Sequence, residues 1–284
     1  MRLGIVTLAH SHTSRSKRMS KKKRDIPVFE QPIIETHCHL DYLEGDDLDA
    51  ALAEALAVNV EKIVTISVSP DNLAKVRQLT GHERIWGTQG IHPHEAELFT
   101  DETETEIRAH GGDDKIVAIG EIGLDYYYDH ADRKVQQQVF ERQLQIAVDL
   151  DKPIVVHTRE ADDDCRAILS NYSQHLKKKG VIHSFTSSLA LAEYCLGEGF
   201  MLGFNGIITF NRAENVREVL DATPLDQMVT ETDAPYLTPA PYRGKPNAPK
   251  YLPFIVEKIA EVKGLDCAAV LTQTYDNAQR LFWR

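Results

Sequence analysis

Pro153-Ile154-Val155-Val156-His157 and Val181-Ile182-His183 are two short apolar runs that each end on a histidine. Runs of this length suit strands rather than helices, and both are rich in β-branched residues. Working outward, the same pattern recurs at Ile33 to His37, Lys62 to Val68, Ile85 to Gly90, Ile116 to Glu121, Phe200 to Phe204 and Met228 to Thr232, making eight predicted strands. Amphipathic stretches such as Leu48 to Ala57, Arg133 to Leu150 and Ala192 to Glu198 lie between them, and a helical tail runs from about Tyr251 to Phe282. Strand and helix in regular alternation predict βα units around a parallel sheet. Eight such units with no long linker predict one (β/α)8 barrel over residues 31–284.

The bulk numbers fit that reading. The 284 residues are 42% hydrophobic and 26% charged, enough for a large core, and the net charge is -11. Residues 1–30 hold eight Lys/Arg against two Asp/Glu, so the remainder carries 24 against 41. We read that segment as a disordered basic tail, and its His10-Ser11-His12 pair as no metal site, because a disordered pair cannot preorganise a metal shell. The acidic body excludes broad coating of a nucleic-acid backbone, which requires many Lys/Arg contacts. Cys38, Cys165, Cys195 and Cys267 are widely spaced, which suggests neither a disulfide framework nor a zinc knuckle and fits a reducing cytoplasm. No apolar run approaches the roughly 18 residues that span a bilayer, so no membrane association is expected.

In barrels of this kind active sites gather at the C-terminal ends of the strands. The first predicted strand ends Glu35-Thr36-His37-Cys38-His39, with two histidines at i and i+2 on one face and Cys38 on the other. The fourth delivers Glu121 between Gly120 and Ile122-Gly123, a carboxylate with two oxygens that can bridge two ions. His157 and His183 end the fifth and sixth, and Asp233 follows the eighth in Glu231-Thr232-Asp233-Ala234-Pro235. Four histidines and two carboxylates at one rim would be costly to desolvate without cations. Two divalent ions are the economical explanation.

Six segments, Glu35 to Leu40, Gly90-Ile91-His92-Pro93-His94, Gly120 to Tyr126, Val156-His157-Thr158-Arg159, His183-Ser184-Phe185-Thr186 and Glu231 to Leu237, together resemble the TatD-type deoxyribonucleases of the amidohydrolase superfamily. The resemblance runs from about residue 32 to the end. It implies one metal on His37, His39, Glu121 and Asp233 and a second on Glu121, His157 and His183, with Glu121 bridging. Glu35 stands where the family usually has Asp, and Ser184 and Ser187 where it often has Cys and Gly; no proposed ligand is affected.

On this reading the chain is a metal-dependent deoxyribonuclease acting on single-stranded DNA ends: the ions activate water, Asp233 takes its proton, and phosphorus is attacked in line. Glu121 and Asp233 are the catalytic carboxylates. His92, Asp125 and Arg159 are expected to meet the phosphate or leaving group. Arg243, Lys245 and Asn247, on the Pro-rich loop Pro239 to Pro249, could clamp a phosphate. The alternative is hydrolysis of a carbonyl substrate, an amide or an aminoacyl ester on RNA, which the same ligands would serve. A non-catalytic binding protein is disfavoured because all six ligands are present. The mixed ligand set suits Zn²⁺, Mn²⁺ or Co²⁺, while Mg²⁺ prefers a more oxygen-rich shell.

Overall fold

The structure, a computed structural model, describes residues 24–43 and 46–284. Eight parallel strands form one sheet in sequential order: β1 (Ile33–Cys38), β2 (Val60–Thr65), β3 (Ile85–Gln89), β4 (Ile116–Asp125), β5 (Ile154–Arg159), β6 (Gly180–Ile182), β7 (Met201–Phe204) and β8 (Met228–Thr230). The helices are α1 (Asp46–Leu56), α2 (Pro70–Leu79), α3 (Asp101–His110), α4 (Arg133–Leu150), α5 (Asp162–Tyr172), α6 (Leu189–Gly197), α7 (Glu214–Ala222), α8 (Leu252–Lys263) and α9 (Cys267–Phe282). The seam between β1 and β8 is tied at its upper end, where the Asp233 N–H donates to His37 O (2.9 Å) and the His39 N–H to Ala234 O (2.8 Å).

Strand alternation divides the apolar side chains into two cores. Ile34, Val64, Val117, Val155, Val181, Met201 and Val229 fill the barrel, joined by Ala278, Leu281 and Phe282 of α9. Outward residues such as Ile33, Ile63, Ile85, Ile119, Ile154, Ile182 and Leu202 pack with Phe140, Leu144, Leu169 and Ile255 of the surrounding helices. The buried charged side chains, such as Glu35, His37, Glu121, Asp125 and Glu231, lie in or just beyond the strands.

Three details differ from the sequence reading. β4 continues past Glu121 to Asp125, because Ile122 and Leu124 are apolar and fully buried and extend the pairing with β5 through His157 and Arg159. The helical tail is broken at Gly264, whose φ of 64° closes α8 in the left-handed conformation. Residues 24–30, expected within the disordered tail, lie against the barrel: Ile26 and Phe29 pack on the outer core and the Arg24 guanidinium sits over Phe254 and pairs with Glu257. The rest of that tail, and the His10-Ser11-His12 pair, lie outside the described residues.

Candidate metal centre

The six expected ligands converge at the upper mouth of the barrel. Glu121 is 3% exposed, and its two oxygens face different sets of imidazoles. Oε2 lies 3.4 Å from His37 Nε2, while Oε1 lies 3.0 Å from His157 Nδ1, 3.4 Å from His183 Nε2 and 3.5 Å from His92 Nε2. On the first side Asp233 Oδ1 stands 3.5 Å from His39 Nε2 and 3.8 Å from His37 Nε2. The centre therefore has two lobes joined by one carboxylate.

Local backbone features aim these groups. A Cβ on Gly123, at φ 137°, would lie 2.0 Å from His157 O, so only glycine lets β4 and β5 approach closely where both deliver ligands. Asp233 adopts a left-handed φ of 58°, which Asp tolerates better than most residues, and its N–H is held by His37 O.

Hydrogen bonding decides which imidazole nitrogens can offer a lone pair. His183 Nδ1 donates to Glu231 Oε1 (3.0 Å), leaving Nε2 for a metal. His157 Nε2 donates to Asp125 Oδ2 (3.0 Å), leaving Nδ1 turned to Glu121. Both nitrogens of His37 and Nδ1 of His39 are buried without a hydrogen-bond partner. Such atoms are costly in a folded protein, and a divalent cation would relieve the cost at the nitrogens that face the carboxylates. His92 is different: its Nδ1 accepts the His94 N–H (3.1 Å), so the neutral ring carries its proton on Nε2 and presents a donor. Three sets lie close enough to share an ion, His37 with Glu121 and His183, His37 with His39 and Asp233, and His92 with Glu121 and His157, and the His92 tautomer argues against the last.

Charge follows the same division. Burial works against the Glu121 carboxylate, but the surrounding imidazoles, His183 foremost, outweigh it and hold its pKa well below the ordinary range. Burial pushes His92 well below its ordinary value, which keeps the ring neutral. Burial opposes charge on His183 too, yet Glu231 and Glu121 raise its pKa to about 10. Burial pushes Glu35 up to about 8, against hydrogen bonds from Thr232 and His37.

The remaining expected residues separate. Arg159, the last residue of β5, lines the cavity of about 1410 Å³ above the ligands, as does His92. Asp125 ends β4 and is fully buried: Oδ2 meets His157 and His94, each at 3.0 Å, and Oδ1 accepts the N–H groups of Tyr127 and Tyr128. Its oxygens are committed to holding His157 and its own loop, so it is no substrate contact. Arg243 stacks on Phe210 outside the cavity lining, and Lys245 lies outside it as well. Asn247 is buried, donating to Thr232 O and Tyr236 O, and so pins the Pro-rich loop instead of meeting a phosphate. The sequence reading assigned no role to Glu231 or His94, although both stand in quoted motifs; a second carboxylate two residues before Asp233 was the available signal.

Comparison with known proteins identifies the family. The model of the TatD related DNase family matches residues 34–283. The uncharacterized metal-dependent hydrolase YabD of Bacillus subtilis is 35% identical over 252 residues, covering 88% of this chain and 98% of its own. A protein of Erwinia tasmaniensis named 3'-5' ssDNA/RNA exonuclease TatD is 38% identical over 202 residues, 69% of this chain and 78% of its own. Among solved structures, the TatD homologue YjjV of Escherichia coli K12 superposes with a TM-score of 0.83 at 30% identity, covering 88% of this chain and 97% of that one. With the family model, these relatives and the fold in agreement, the chain belongs to the TatD family of metal-dependent hydrolases.

Proposed function

We propose that the chain is a divalent-metal-dependent deoxyribonuclease that hydrolyses phosphodiester bonds at single-stranded DNA ends. The observation that carries this is the centre around Glu121: His37, His39 and His183 are buried, His157 and Asp233 part-buried, and His37 Nε2 faces the Glu121 carboxylate without a hydrogen-bond partner. His37, His39, Glu121 and Asp233 would hold one ion, and Glu121, His157 and His183 a second. When bound, the ions supply Lewis acidity toward water and phosphoryl oxygen.

The chain's own groups do the rest. Asp233, held ionised by His39, His183 and His37 against its burial, accepts the proton of the attacking water. Neutral His92 donates Nε2–H toward the reacting oxygens beside Glu121 Oε1. Arg159 offers a guanidinium to the phosphate. Asp125 and Glu231 fix the tautomers of His157 and His183, so each turns its lone pair inward. The name of the Erwinia relative supports a single-stranded substrate and a 3'-5' direction. Four free cysteines, three of them buried, favour a reducing cytoplasm.

One observation favours the alternative, a carbonyl substrate. Beyond the ligands Glu121 and Asp233, six carboxylates line the cavity, among them Asp162, Asp163, Asp164, Glu160 and Glu218, and Arg159 is the one Lys/Arg of that lining among the described residues. This wall repels polyanions and would welcome an amino group, as on an aminoacyl ester.

The test is to incubate chelator-treated and Mn²⁺- or Mg²⁺-loaded protein with end-labelled single-stranded DNA, an aminoacyl ester and a small amide. Nucleotide release from DNA with metal alone is expected. Ester or amide cleavage with DNA untouched would replace the leading reading by the alternative.

A further inference from the structure

Large aromatic side chains favour burial, since exposed apolar surface costs roughly 25 cal/mol per Å². Among the described residues the exposed aromatic side chains are four tyrosines, Tyr42, Tyr127, Tyr128 and Tyr236, each 50–53% exposed. All four stand on loops at the active-site face. Tyr42 follows β1 and Tyr236 follows β8, strands that meet at the seam; Tyr127 and Tyr128 follow β4, diametrically across the ring of eight. Tyr42, Tyr128 and Tyr236 line the cavity above the ligands.

Each pair is a built surface. The Tyr42 and Tyr236 rings stand edge to face 6.2 Å apart, and both lie beside the His39 ring. The Tyr127 and Tyr128 rings are 4.8 Å apart, also edge to face, with the Arg159 guanidinium 4.2 Å and 5.0 Å from their centroids. That cation holds the second pair in place and adds a charged plane to it.

Resting on the polynucleotide reading above, we propose that the two tyrosine pairs are base-stacking subsites, which seat unpaired nucleobases on either side of the phosphodiester held at the metal centre. Charge supports this occupant. Outside the metal centre the cavity is lined by six carboxylates and, among the described residues, one arginine, so it cannot grip a strand through its phosphates beyond the reacting one. Affinity for the neighbouring nucleotides must come from uncharged contacts, and aromatic faces provide them for every base. A base in a duplex has both faces covered by its neighbours, so the same surfaces select single strands.

The experiment compares wild type with Tyr42→Ala, Tyr236→Ala, Tyr127→Ala and Tyr128→Ala, and with the corresponding Phe variants. Substrates are a single-stranded hexadeoxynucleotide and the same strand made abasic at its two terminal positions, with cleavage kinetics and anisotropy binding both measured. Each Ala variant should raise KM on the ordinary strand between about fivefold and a hundredfold, with kcat little changed and the Phe variants near wild type. On the abasic strand wild type and variants should converge. Binding should also weaken only shallowly with salt, as for one or two phosphate contacts. An unchanged melting temperature shows that the variants fold. Ala variants that lose nothing, or lose the same factor on both strands, overturn the stacking subsites. A wild-type protein that neither binds nor cleaves the ordinary strand overturns the polynucleotide reading, and the subsites with it.

Discussion

The two ends of the same eight strands obey opposite rules. At the lower end Val117, Val155, Val181, Met201 and Val229 meet Leu281 and Phe282 of α9 and close the barrel with apolar contacts. At the upper end the strands bury Glu35, His37, Glu121, His183 and Glu231, and leave nitrogens of His37 and His39 without hydrogen bonds. Left-handed backbone at the non-glycine residues Ser184, Asp233 and Leu237 also falls at this upper rim. The floor stabilises the protein, and the rim carries chemistry at a cost in stability that the floor offsets.

That contrast is broken most severely at Glu121. Glu121→Gln removes the one group shared by both lobes, and turnover should fall at least about a thousandfold, the scale seen when a charge-stabilising group is lost from a reacting centre. Metal analysis after dialysis should show both sites depleted, while the metal-free variant melts no lower than metal-free wild type. Retention of both ions would refute the bridge. The floor should respond in the opposite sense: Phe282→Ala empties a packed position beneath the barrel and should cost about 3–5 kcal/mol in denaturant unfolding. Its metal content and its kcat per folded molecule should remain those of wild type.

A smaller effect separates the two lobes. Asp125→Asn loosens the hold on His157 Nε2, and such supporting partners are worth about 10–100-fold in metal affinity. Titration should show one ion bound more weakly and the other unchanged, and equal weakening of both would count against two lobes. Acid should weaken metal binding overall. His183, raised to about 10, together with His39 and His157, also raised, takes up protons in the metal-free centre that an ion must displace. Affinity should therefore rise with pH through the neutral range, with proton release measurable by calorimetry in buffers of different ionisation enthalpy.

Much of the rim was legible because strand periodicity places every residue that ends a strand at one height. His37, Glu121, His157, His183 and Asp233 could each be read as the polar end of an apolar run. What escaped depended on direction in space. Glu231 and His94 act on side chains delivered by other strands, and nothing in their local sequence says which group they face. Asp125 has the composition of a loop residue, yet Ile122 and Leu124 carry β4 through it into the interior. The break at Gly264 escaped although Lys263-Gly264 is an ordinary helix end, because the apolar pattern continues on both sides. The tyrosine pairs were invisible because exposure belongs to the folded surface.

The Pro-rich loop supplies the finest test of the contrast, because three of its residues read alike in sequence and differ in place. Asn247 spends both amide hydrogens on Thr232 O and Tyr236 O, the carbonyls that flank the turn carrying Asp233. Asn247→Ala leaves the buried Thr232 carbonyl short of a partner, at about 1–3 kcal/mol, and loosens the turn, so stability and kcat should fall together. Arg243 lies over Phe210, where a cation over a ring contributes about 0.5–1 kcal/mol at an exposed site. Arg243→Ala should therefore shift stability by no more than that and leave KM for DNA near wild type. A large rise in KM for Arg243→Ala with an unchanged melting curve would restore the loop as a phosphate clamp, and would extend the chemistry of the rim beyond the strand ends.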